Sequence, residues 1–66
     1  MQVIHVHWAG SEYRVVRVAE EAPAELVFCD SREELVGVLR GLGVAQPGVN
    51  YVFRQLAVSP DAMLSG

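Results

Sequence analysis

His5 and His7, in the stretch QVIHVHW, are the side chains of this sequence with most to offer chemistry. In an extended chain alternate residues share a face, so both imidazoles would point the same way. That spacing suits a shared metal ion, because histidine is the commonest metal ligand at neutral pH. A metal site needs a third ligand. Glu12 and Cys29 are conceivable, but no register suggested by the sequence brings either close. Arg14 falls opposite His7 in the hairpin described below, so His5, His7 and Arg14 could hold an anion or a partner's carboxylate. Hydrogen bonding at a subunit interface is the reading preferred for all three, and no metal or cofactor is expected.

The remaining nucleophiles carry less. Cys29 is the single cysteine, which excludes an internal disulfide and a multi-cysteine zinc site. A strand cysteine of this kind is ordinarily inert packing. Ser11, Ser31 and Ser59 have turn or cap explanations and lack a nucleophile-elbow context. Gly41-Leu42-Gly43 closes a helix, the wrong end for phosphate. The chain therefore reads as non-enzymatic.

The element that must organise these residues is SREELVGVLRGLG, residues 31–43. Ser31 and Glu34 have the spacing of a capping box, and Glu33 and Glu34 suit the positive end of the helix dipole. Leu35, Val38, Leu39 and Leu42 recur at the helical period, and Gly43 fits the left-handed position just past the end. Gly37 and Gly41 lie away from that stripe. They read as drift at positions without packing demand.

The histidine stretch alternates as a strand, with Ile4, Val6 and Trp8 on one face and Val3, His5 and His7 on the other. Gly10-Ser11 fits a two-residue hairpin turn, and EYRVVRVA, residues 12–19, returns as a second strand. That turn pairs Trp8 with Tyr13, Val6 with Val15 and Ile4 with Arg17. It pairs His7 with Arg14, His5 with Val16 and Val3 with Val18 on the opposite face. Arg17 would rest its stem on apolar surface, with an ion pair to Glu20 or Glu21 as one option. After the connection EEAPA, residues 25–30 read as a third strand, with Leu26 and Phe28 on one face and Val27 and Cys29 on the other. Residues 49–58, VNYVFRQLAV, fit a helical period but are rich in strand formers and are read as a fourth strand. Ser59-Pro60-Asp61 then resembles a helix start.

The expected fold is α+β: a small antiparallel β-sheet in the order β-β-β-α-β, with one helix packed on one face. One helix covers one side. The other side would carry Val3, Val16 and Val18, with Val27 and Cys29 as further candidates, and this valine-rich face is the reason to expect a homodimer. Sixty-six residues of which 52% are apolar form one domain, residues 1–66, with more apolar surface than so small a body readily hides. Net charge is −3 and the five basic residues are scattered arginines, which disfavours general nucleic-acid binding and leaves room for a protein partner. The single cysteine points to a reducing cytoplasm. No signal peptide and no membrane span are expected.

Two strands, a Pro-containing connection, a short strand, then Ser-x-Glu-Glu-Leu opening a helix and a last strand is similar to the small HicB-like domains. The similarity spans residues 3 to about 58 as a pattern. Those domains carry a Leu-Pro-Gly-Cys-like segment before the third strand, where this chain has Glu21-Ala22-Pro23-Ala24 without the glycine. The resemblance implies a dimeric, antitoxin-type or orphan partner-binding module with no catalytic residues.

Overall fold

A computed structural model describes residues 1–65. The elements run β1 (Gln2–Trp8), β2 (Tyr13–Ala19), β3 (Ala22–Cys29), α1 (Arg32–Gly41), α2 (Gln46–Leu56) and β4 (Asp61–Ser65). The strands form one antiparallel sheet in the order β3-β2-β1-β4. The class is α+β, with two helices where the sequence suggests one.

The β1–β2 register is the one that the turn and the alternation predict: Trp8 faces Tyr13, Val6 faces Val15 and His7 faces Arg14. Gly10 has φ +90°, a conformation that glycine adopts at no steric cost. The hairpin is closed by Ala9 N–H donating to the Glu12 carbonyl at 2.9 Å. Trp8 and Tyr13 pack with ring centroids 4.6 Å apart, within the range of a favourable aromatic pair.

Helix α1 also follows its signals. The Ser31 Oγ accepts from the Glu34 N–H at 3.1 Å, and Gly43 sits at φ +91° past the helix end. Leu35 and Leu39 are fully buried. With Ile4, Val6, Val15, Cys29, Val49, Val52 and Ala62 they make the core.

Residues 49–58 are not a strand. Residues 49–56 belong to α2, whose Val49 and Val52 are buried and whose Phe53 and Leu56 pack against the core, and Ala57 and Val58 lie in the turn beyond it. The physical reason is coverage. Four strands about 4.8 Å apart make a sheet roughly 19 Å wide, whereas one helix is only about 10 Å across. Two helices side by side fill the face, α1 nearer β3 and α2 nearer β4. Arg32 of α1 lies over the Phe53 ring of α2, 4.5 Å from its centroid. Burial of the apolar stripe thus outweighs the local strand preference of Val, Tyr and Phe.

The segment expected to start a helix at Ser59-Pro60-Asp61 instead leads into β4. Ser59 Oγ accepts from the Asp61 N–H at 3.2 Å. A serine hydroxyl makes that bond in turns as readily as in caps, so the local chemistry is ambiguous. Strand β4 pairs along β1 and turns Ala62 inward. Strand β3 begins at Ala22, within the stretch read as a connection. Its faces fall opposite to the expectation for Val27 and Cys29: Cys29 is buried and Val27 packs against the core, while Leu26 and Phe28 stand on the open side. Both pairs are apolar, so alternation shows which residues share a face but not which face is covered.

Candidate functional site

The helices leave the opposite face of the sheet uncovered. From β1 it presents Val3, His5 and His7, and from β2 Arg14, Val16 and Val18. From β3 it presents Leu26 and Phe28, and from β4 Asp61 and Met63. Four of these are apolar and about half exposed: Val18 at 49%, Phe28 at 53%, Leu26 at 56% and Met63 at 59%.

His5 and His7 converge on Asp61, a residue whose sequence context suggests the start of a helix. His5 Nε2 lies 2.9 Å from Asp61 Oδ1, and His7 Nδ1 lies 2.8 Å from the same oxygen. The ring centroids are 6.5 Å apart. The hydrogen bond from His7, then that from His5, holds the Asp61 carboxyl below the ordinary carboxylate range. An ionised carboxylate only accepts, so each imidazole donates through the nitrogen nearest it. His5 Nδ1 and His7 Nε2 are left as the proton-accepting atoms of the cluster.

Arg14 is placed opposite His7, as the register requires, but its Nε donates to Glu12 at 3.3 Å. The trio of His5, His7 and Arg14 is thus divided into two pairings, each with its own carboxylate. An anion would meet Asp61 between the imidazoles, which disfavours the anion reading. The two conceivable third metal ligands are elsewhere: Glu12 is with Arg14, and Cys29 is buried on the helix side. Among the described residues no group of three or more His, Cys, Asp or Glu is arranged to hold a metal ion. The inner ring nitrogens are aimed at one oxygen and not at a common vacant point.

Cys29 has the character of a packing residue. Burial first, then the nearby Glu34 and Asp30, pushes its thiol up, which works against the reactive thiolate. Arg17, on the covered face, pairs with Glu25 and not with Glu20 or Glu21. A shallow cleft of about 240 Å³ lined by Gln2, Ile4, Gly43, Val44, Leu64 and Ser65 lies at the end of the sheet. Gln2 Nε2 there donates to the Leu42 carbonyl at 2.9 Å.

Asp61 is the functional candidate that the sequence did not reveal. It is more than fifty residues from both histidines, and only the seating of β4 beside β1 brings it to them. The fold and site together define a small sheet-and-two-helix protein with an apolar, hydrogen-bonded open face. No known protein family matches the chain, and neither does any curated protein or solved structure. The HicB-like pattern required a last strand at the position that α2 occupies. No described helix is long and apolar enough to cross a membrane.

Proposed function

We propose that the chain is a non-enzymatic interaction module that pairs with a second copy of itself through the open face of its sheet. The observation that carries this reading is the combination of exposed Val18, Leu26, Phe28 and Met63 with polar neighbours already paired among themselves. An exposed apolar sheet face favours association. Burying a polar group costs less where it already has a partner, and His5, His7 and Arg14 each have one.

Size supports the same occupant. Four strands of about seven residues make a plate of roughly 20 Å by 23 Å. Two such plates packed face to face would remove on the order of 1,000 Å² from water, about where stable interfaces begin. A two-fold axis needs only one self-complementary patch, and sheets stack readily with their strands nearly aligned.

Sedimentation at tens of micromolar and neutral pH tests the reading. The wild type is expected to be a dimer and Val16→Glu a monomer, because the substitution sets a new carboxylate in the middle of the face. A wild-type monomer removes the self-association reading and leaves the face to a different protein. A dimer untouched by Val16→Glu moves the interface elsewhere.

A further inference from the structure

Resting on that reading, we propose that His5, His7 and Asp61 act as a proton-counting cluster that makes association strongest when one of the two imidazoles is protonated and weaker on either side. Both imidazoles bond to one carboxylate oxygen, so the charge of the cluster is set by the number of protons that the two rings carry together. With both imidazoles neutral, the cluster carries the single negative charge of Asp61. One proton brings it to zero, and a second brings it to one positive charge.

The charged and titratable side chains facing this cluster are few. From β2 and the turn before it come Arg14 and its partner Glu12, a pair of zero net charge. Opposite His5 stand Val16 on β2 and Met63 on β4. Strand β3 contributes Leu26 and Phe28 to this face. Nothing else described there compensates a net charge on the cluster.

Covering the face with an apolar copy withdraws water from the cluster, and withdrawal of water penalises net charge of either sign. The sign follows directly. As pH falls from the alkaline end, the dimer favours uptake of the first proton, so association tightens. As pH falls further, the dimer resists the second proton, so association weakens. The protonating atoms are His5 Nδ1 and His7 Nε2, the ring nitrogens that do not face Asp61. A simple loss of the dimer on acidification would instead follow if the imidazoles stood beside Arg14 with no carboxylate between them.

The experiment is sedimentation of the full chain at matched ionic strength near pH ~5, ~6.5 and ~8.5, which spans the range where imidazoles ordinarily titrate. The expected result is a dimerisation constant at the middle pH roughly tenfold above both ends, a usual size for two linked equilibria. In Asp61→Asn the neutral state is the one with both imidazoles unprotonated, so association should be tightest at the alkaline end. In the double variant His5→Gln, His7→Gln the cluster charge is fixed, so the profile should be flat. Far-ultraviolet circular dichroism establishes that each variant is folded, and the wild-type profile stands as a test without them. A wild-type dimer with a flat or one-directional profile overturns the proposal and leaves self-association in place. An Asp61→Asn profile that keeps the maximum also overturns it. A wild type that is monomeric at all three pH values overturns the reading beneath it.

Discussion

The two faces of the sheet are built from the same residue types and have different fates. The covered face holds Ile4, Val6, Val15, Cys29 and Ala62 under Leu35, Leu39, Val49 and Val52, all 4% exposed or less. The open face holds Val18, Leu26, Phe28 and Met63, each about half exposed. Hydrophobicity therefore does not distinguish them; the presence of a partner does. The second difference is polar. The open face carries His5, His7, Arg14 and Asp61, and all four find hydrogen-bond partners. These bonds lower the cost of covering the face relative to the same groups left unpaired.

The comparison is broken most severely at its leucines. Leu39→Ala is expected to destabilise the chain by about 2–5 kcal/mol, the usual cost of emptying a packed leucine site. Leu26→Ala on the open face of the monomer should stay within about 0.5 kcal/mol. Chemical denaturation of both variants in the Val16→Glu background separates folding from association. Equal effects at the two positions would mean that the open face is covered within one chain.

A smaller effect tests how far the covered face depends on a well-started helix. Ser31→Ala removes the cap to Glu34 and should cost about 1 kcal/mol, read as a lower denaturation midpoint with an unchanged slope. No change would show that burial of Leu35 and Leu39 alone holds α1 in place.

The smallest effect compares two helical glycines. A Cβ added at Gly37 meets nothing within 4 Å, whereas one added at Gly48 would lie 2.7 Å from Val44 Cγ1. Gly37→Ala should therefore stabilise by up to about 1 kcal/mol. Gly48→Ala should return less, because the stiff, β-branched Val44 must move. Thermal melting ranks the two. Equal gains would mean that the loop before α2 yields freely.

Much of the architecture is written locally. Alternation in β1 and β2, with a glycine turn between them, fixed which residues face each other. Ser31, the leucine spacing and Gly43 fixed α1. Those signals involve neighbours a few residues apart, where backbone geometry alone decides the outcome. Residues 46–65 were legible only in part. Their pattern admits a strand or a helix at Val49–Leu56 and a cap or a turn at Ser59. The choice depends on the width of a sheet that must exist before it can be covered.

The sequence by itself determined the hairpin register, the first helix and the placement of His5, His7 and Arg14 on one face of the hairpin. Only the tertiary structure decided that a second helix completes the covered layer, that Cys29 points inward and Phe28 outward, and that Asp61 stands between the histidines. The reason is the range of the forces. Turn geometry and helix capping act over a few bonds. Burial and the Asp61 hydrogen bonds depend on chain segments more than fifty residues apart being brought together by the rest of the fold.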